Sequence, residues 1–545
     1  MPWCEGACRE WWRKGTTACA AATGAPRRGS GDCAPSGRCL RAPLPPGRVP
    51  QCPSVLPRTD RSPPCPRPSP AHCPAMQREP DFLDNLRSEL RDGQRWLERS
   101  IVLAYAVAAG LSVVVFTMLA EWAFAVFERV YHWGGGWAVL LWTPAITAAV
   151  VWATRRWVPG AAGSGIPQVI AALEPGLTAP QRGRFVSLRL SAAKILLASA
   201  GFMAGLSIGR EGPSVQVAAG VMHHARRWFG PRSGITAHAL LVAGGAAGIA
   251  AAFNAPLAGV VFAIEELSRK LESRSSGLII AAIVLAGLMG VSAFGNLSYF
   301  GRIQVPRLGW DALLPGLAVS LACGVLGGLF AKLMAASLTG APDRFNRWRA
   351  RWPVRFAAAG GLAIAVIGLA TGGATFGAGS EAVKHMLAGQ ADVPAFYVTL
   401  KFIATWLSAW VGVPGGIFAP SLSIGAGVGH NVALLAGGDI APSIAPALIA
   451  MGMAAFLAAV TQAPLTAFII VMEMVDGHAL VLSLMASAML ASLVSRMLAR
   501  PLYETLAASM LSAARLPEAP EGPGAQRDAD PHAPAQGAPQ DSAGR

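Results

Sequence analysis

Two apolar stretches of this chain, 207 residues apart, carry nearly the same residues. Gly209–His224 reads GREGPSVQVAAGVMHH, and Gly416–Asn431 reads GIFAPSLSIGAGVGHN. Gly209/Gly416, Pro213/Pro420, Ser214/Ser421, Ala219/Ala426, Gly220/Gly427, Val221/Val428 and His223/His430 coincide. A second echo follows at an offset of 208, where Ala255–Leu257 and Ala463–Leu465 are both Ala-Pro-Leu. Duplicated apolar segments interrupted by Gly and Pro are the pattern of inverted-repeat membrane carriers, whose binding site lies where broken helices meet near the bilayer midplane.

The lipid setting follows from composition. The chain has 545 residues, 53% hydrophobic and 14% charged, against roughly 25% charged in soluble domains. Apolar stretches such as Ile101–Ala120, Gly277–Phe294 and Ala479–Ser495 are long enough for a hydrocarbon core about 30 Å thick. Backbone groups in lipid must pair within helices. The expected fold is therefore an all-α polytopic membrane protein, an inverted repeat of interrupted, tilted helices. Arginines cluster at Arg87, Arg91, Arg95 and Arg99, and again at Arg344, Arg347, Arg349, Arg351 and Arg355. Loops rich in Lys and Arg favour the cytoplasmic side. Both clusters and both termini are placed there, in the cell (inner) membrane. A basic run can also bind nucleic acid, but with no soluble domain to carry it no such partner is expected.

The ends read differently. Residues 1–75 hold eight of the nine cysteines, with 11 Lys/Arg against 4 Asp/Glu, a net of +7. They lack paired C-x-x-C spacing and a secretory apolar core. They read as an unstructured extension, with Met76 as an alternative start. Residues 76–99 are expected as a cytoplasmic helix, 100–300 and 310–498 as the two membrane repeats, and 499–515 as a C-terminal helix. Residues 516–545, rich in Pro, Ala, Gly and Asp, read as a disordered tail. Cys323 lies in an apolar run and reads as packing.

Five apolar segments open with Gly or a polar residue followed by Pro: Gly163–Pro167, Gly209–Pro213, Asn254–Pro256, Gly415–Pro420 and Gln462–Pro464. Proline suits the first turn of a helix, where its missing N–H is not needed. Glycine before it lets the backbone approach a bound group. Each start exposes free N–H groups and the positive end of the helix dipole. Several such ends converging inside the membrane would hold an anion. Dipoles, unlike a lysine or arginine, also allow the ion to leave. The competing reading is close helix packing.

These residues resemble the CLC family of chloride channels and chloride/proton exchangers. Its signatures occur in order as GSGIP (Gly163–Pro167), GREGP (Gly209–Pro213), GIFAP (Gly416–Pro420), AFNAPLAG with a following Glu-Glu (Ala252–Glu266), and RPLY (Arg500–Tyr503). The likeness covers about residues 95–512. It implies a homodimer with an anion pathway in each subunit, and chloride and protons as transported ions with no cofactor. The implied chloride site comprises the hydroxyls of Ser164 and Tyr503, the N–H groups of Ile417 and Phe418, and neighbouring Gly165, Ile166, Arg210 and Gly212. Glu211 would be the gating glutamate. A carboxylate near helix N-termini acts as a tethered anion; burial favours its neutral acid form, which can swing aside. Glutamate inside a membrane segment is functional by default. The alternative, a salt bridge to Arg210, is disfavoured because helix neighbours point apart.

The repeat separates the acids. Glu211 aligns with Phe418 and Glu266 with Met474, whereas Glu265 has a counterpart in Glu473. Glu265 therefore reads as structural and Glu266 as singular. In exchangers of the family a glutamate like Glu266 admits protons from the cytosolic side, and channels usually replace it. The alternative pairs Glu265 and Glu266 with Arg269 and Lys270 at i,i+4. Where many exchangers have acids after GSGIP, this chain has Gln168, Val169 and Ile170. Lys194 is either a buried cation or a snorkelling one. Ser164 resembles chloride-preferring members rather than nitrate or fluoride carriers. Coupled chloride/proton exchange is expected, a passive voltage- or proton-gated channel being the alternative. A membrane hydrolase would need a set such as H-E-x-x-H, whereas His223, His224 and His430 read as packing. A cation-coupled carrier would present carboxylates and unwound carbonyls at its site, not N-terminal helix ends.

Overall fold

The computed structural model describes residues 93–230, 233–268, 276–295, 300–301, 312–390, 394, 396–436 and 441–515. The readings for 1–75, most of 76–99 and 516–545, and the pairing with Arg269 and Lys270, lie outside the described residues.

The first repeat runs through α1 (Gly93–Trp157), α2 (Ile166–Leu173), α3 (Ala179–Gly183), α4 (Leu188–Met203), α5 (Glu211–His224), α6 (Ala237–Phe253), α7 (Pro256–Phe262) and α8 (Ser276–Phe294). The second comprises α9 (Leu313–Leu338), α10 (Arg344–Arg351), α11 (Pro353–Ala370), α12 (Ser380–Leu387), α13 (Tyr397–Trp410), α14 (Phe418–Ala436), α15 (Ala441–Thr461), α16 (Pro464–Met474) and α17 (Val481–Leu498). α18 (Leu502–Arg515) closes the chain. Among the described residues, seven helical stretches are long and apolar enough to cross a bilayer. α1 changes direction at Gly135, whose φ of 61° and ψ of −166° lie outside helical space.

The duplication read from sequence is a duplication of structure. α5 and α14 begin at Glu211 and Phe418, aligned residues. α6 and α15 are each followed by a left-handed residue, Asn254 at φ 57° and Gln462 at φ 62°. The next helices start at Pro256 and Pro464, where proline costs no hydrogen bond. A further matched pair escaped the sequence reading. Lys194 and Lys401 are both fully buried. Lys194 Nζ donates to the carbonyls of Ala161 (2.8 Å) and Gly163 (2.6 Å). Lys401 Nζ donates to those of Thr375 (3.0 Å) and Gly377 (2.8 Å). Lys194 is thus a buried brace of the loop before α2 and does not snorkel; Lys401 braces the equivalent loop before α12.

Two reciprocal contacts join the halves. Gly209 and Gly416 exchange N–H···O bonds, both 2.7 Å. A Cβ on Gly416 would stand 2.9 Å from Gly212 N, so only glycine lets these backbones meet. Across the same axis, Glu265 accepts from the N–H groups of Leu465 (3.1 Å) and Thr466 (2.7 Å). Glu473 accepts from those of Leu257 (3.2 Å) and Ala258 (2.7 Å). Each carboxylate caps the first turn of the other repeat's helix, and such charge-assisted bonds contribute about 1.5–3 kcal/mol each. Glu265 is therefore structural and mirrored by Glu473. The five Gly/Pro starts do not all converge on one ion: those of α7 and α16 already hold a glutamate.

Small residues set the packing elsewhere. A Cβ on Gly429 of α14 would lie 2.7 Å from Ile449 Cα of α15, and one on Gly248 of α6 would lie 2.7 Å from Val215 Cα of α5. Close backbone approach of this kind replaces the hydrophobic drive that lipid removes. Cys323 is fully buried, its thiol directed at the Gly452 carbonyl at 3.6 Å.

Candidate anion site

The loop before α2 is held open by two glycines in left-handed backbone, Gly163 at φ 73° and Gly165 at φ 112°. Gln168 locks the turn between them: its Oε1 accepts from the Gly165 N–H (3.0 Å) and its Nε2 donates to the Ala162 carbonyl (2.6 Å). The Gly165 N–H is therefore engaged by Gln168. Gln168, which the sequence reading took only as a missing acid, positions Ser164. A Cβ on Gly165 would fall 2.5 Å from the Gly212 carbonyl, which places the starts of α2 and α5 in contact. Ser164 Oγ in turn abuts Gly212, and Ile166, the first residue of α2, is fully buried.

Glu211 opens α5 and is 1% exposed. Its Oε2 accepts from the Ala419 N–H at 3.4 Å, so the carboxylate lies at the N-terminus of α14. Ile417 and Phe418 precede Ala419, and N–H groups at a helix start have no partner within the helix. The geometry is that of a tethered anion at the positive end of a helix dipole.

Tyr503, in the first turn of α18, is 1% exposed, its ring 6.0 Å from that of Phe418. The Phe418 ring also faces Phe253 at 6.4 Å and Phe262 at 6.5 Å. Neither Ser164 Oγ nor Tyr503 Oη completes a hydrogen bond within the protein, although each is near enough to act on the other. A buried hydroxyl left unpaired costs about 1–3 kcal/mol. Two such donors beside an unpaired helix start fit an anion.

Arg210 stands apart. Its Nη1 donates to Glu121 Oε1 at 2.7 Å, not to Glu211, and its side chain lines a cavity of about 1280 Å³. That cavity reaches Glu211 and carries Glu121, Glu128, Glu381, Lys384 and His385 on its walls. With Glu211 in its lining, the cavity forms a vestibule that reaches that carboxylate. Glu266 occupies a π-helical turn, Ala263–Leu267, and is half-buried. The Tyr503 hydroxyl lies within electrostatic reach of both Glu266 and Glu211. The structure thus brings Ser164, Gly212, Glu211, Phe418 and Tyr503 together and leaves Arg210 at the rim. His223, His224 and His430 are half-buried, and no group of three or more His, Cys, Asp or Glu among the described residues is arranged to hold a metal.

Two halves meeting at a buried, donor-lined point with a carboxylate beside it define a membrane transport protein of the inverted-repeat class. Residues 146–496 match the family described as voltage gated chloride channel, and the chain belongs to that family. The H(+)/Cl(-) exchange transporters ClcA of Salmonella typhi and Citrobacter koseri are each 31% identical over 398 residues, covering 69% of this chain and 80% of theirs. The same fold occurs in a slow cyanobacterial Cl−/H+ antiporter (TM-score 0.64, 24% identity) and in a CLC-type fluoride/proton antiporter (TM-score 0.61, 21% identity). Both matches cover 76% of this chain and 98% of the other.

Proposed function

We propose that the protein exchanges chloride for protons across the membrane. The carrying observation is the Glu211 carboxylate lodged at the N-terminus of α14, next to two hydroxyls that lack a partner. In this reading Ser164 and Tyr503 donate to chloride from one side, and the N–H groups of Ile417 and Phe418 from the other. Ile166 and Gly212 complete the wall, and Arg210 draws anions into the vestibule. Glu211 occupies the anion's place when charged and vacates it when protonated. Glu266 delivers the proton from the opposite face; like Glu211, it has no acidic counterpart in the second repeat. Relatives named as H(+)/Cl(-) exchange transporters support coupling over passive flow.

Purified protein in liposomes tests this. A chloride gradient is expected to drive proton uptake, and Glu266→Gln is expected to reduce that uptake by at least tenfold while chloride still passes. Chloride flux without proton movement in the unaltered protein would identify a passive channel. Coupling that survives Glu266→Gln would assign the proton route to another residue.

The same reading gives a homodimer. Leu257 and Ile264 near α7, and Leu465 on α16, are exposed around the half-buried carboxylates of Glu265 and Glu473. Charge on a lipid-facing surface is costly, and a second copy over this face would remove the cost. The protein is placed in the cell membrane with α10 and both termini on the cytoplasmic side, as the arginine distribution favours.

A further inference from the structure

The linker between α9 and α11 carries charge that the transport cycle does not use. α10 presents Arg344, Arg347 and Arg351 to solvent, and Arg355 follows on the first turn of α11. Arg155 and Arg156 end α1 and are also exposed. α1 and α11 pack together, a Cβ on Gly361 falling 3.0 Å from Pro144 Cα. The pair is antiparallel, Gly136 facing Leu369 as Gly361 faces Pro144, so the end of α1 runs beside the start of α11. Arg349 Nε is shut off from solvent without a hydrogen-bond partner. None of these seven arginines forms an ion pair among the described residues. The nearest acid in sequence, Asp343, is spent as the N-cap of α10, accepting from the Asn346 N–H at 2.6 Å.

Aromatic side chains accompany the charge. Phe345 is 58% exposed, Trp348 39%, Trp352 44% and Trp157 57%. The Arg355 guanidinium lies 4.4 Å over the Trp352 ring. Arginine with tryptophan at the end of a span is the composition of a membrane–water boundary. Planar guanidinium groups match phosphate oxygens in pairs. The patch is also fastened. Asn346 is buried, donates to the Ala341 carbonyl (3.1 Å) and accepts from Trp410 Nε1 (2.9 Å).

The repeat supplies an internal comparison. Gly163 and Gly377 occupy equivalent loops 214 residues apart. That offset carries the end of α11, Ala370, onto Arg156, one residue before the end of α1. The same offset carries α10 onto residues 130–137, VYHWGGGW, which also bear exposed tryptophans (92% and 82%) but no arginine. Aromatic anchoring is common to both repeats; the arginine-bearing helix α10 belongs to the second.

We propose that the surface formed by α10, the start of α11 and the end of α1 binds the phosphate headgroups of anionic phospholipids. The bilayer is the source of the anion because the arginines flank spans whose ends lie at the headgroup level. Headgroup binding supplies the counter-charge that Arg155 and Arg349 lack within the chain. It also holds α10 against Trp410, the last residue of the helix leading into Gly416.

The test uses full-length protein in nanodiscs of phosphatidylcholine with phosphatidylglycerol, and native mass spectrometry counts the lipids retained on release. The unaltered protein is expected to keep phosphatidylglycerol in preference to phosphatidylcholine. The variant R344Q/R347Q/R351Q/R355Q is expected to lose that preference by about tenfold, each basic side chain near the surface contributing to attraction for anionic lipid. The corresponding four-lysine variant, which keeps charge but not the paired geometry, is expected to retain an intermediate preference. It also shows that loss in the glutamine variant is not misfolding. Equal retention by unaltered and glutamine-substituted protein, or no preference in the unaltered protein, would overturn the proposal.

Discussion

Glu211→Gln is expected to abolish chloride-driven proton movement while chloride continues to cross the membrane. The amide has the shape of the protonated acid but neither accepts a proton nor competes as an anion for the α14 N-terminus. The Ala419 N–H that now donates to Glu211 Oε2 at 3.4 Å then becomes available to chloride at all times. Proton uptake measured with a pH dye in liposomes should fall to the level of protein-free vesicles, a loss of at least a hundredfold. Chloride efflux measured with an ion-selective electrode should persist. Proton uptake that survives would remove Glu211 from the coupling step. A simultaneous stop of chloride would mean that the side chain holds the site together instead of gating it.

Gly165→Ala is expected to cost the next largest effect. A non-glycine residue at φ 112° is strained by about 1–2 kcal/mol, and the new Cβ would fall 2.5 Å from the Gly212 carbonyl. Backbone cannot give way there without moving Ser164 and the start of α5. Chloride efflux should fall at least tenfold, equivalent to about 1.4 kcal/mol in the barrier. Gly163→Ala is the matched control: it carries positive φ of 73° but its Cβ meets nothing within 4 Å. It should lose some stability and little transport. Equal loss of transport in both would show that strain alone, not contact between α2 and α5, governs the site.

Much of this was legible before any coordinates. The offset of 207 places Glu211 opposite Phe418, and both residues open a helix. Glu265 was separable from Glu266 because only the former has a repeat partner, Glu473. What stayed hidden involves partners far apart in sequence. The two N-termini that glutamates cap cannot be told from the other broken-helix starts by their Gly/Pro grammar, since each cap comes from 200 or more residues away. That Glu121, 89 residues earlier, holds Arg210 is equally hidden. Lys401 could have been found by adding the same offset to Lys194. Gln168 at the third position of α2 is where a capping-box glutamine returns to the N-cap N–H, so its bond to Gly165 had a sequence signal.

Bromide diffraction tests the central claim most directly. With bromide replacing chloride, the anomalous signal is expected within hydrogen-bonding reach of Ser164 Oγ, Tyr503 Oη and the N–H groups of Ile417 and Phe418. A second peak is expected at the present position of the Glu211 carboxylate in the Gln variant. A cation at that point, or bromide bound only at the vestibule rim near Arg210, would contradict the account.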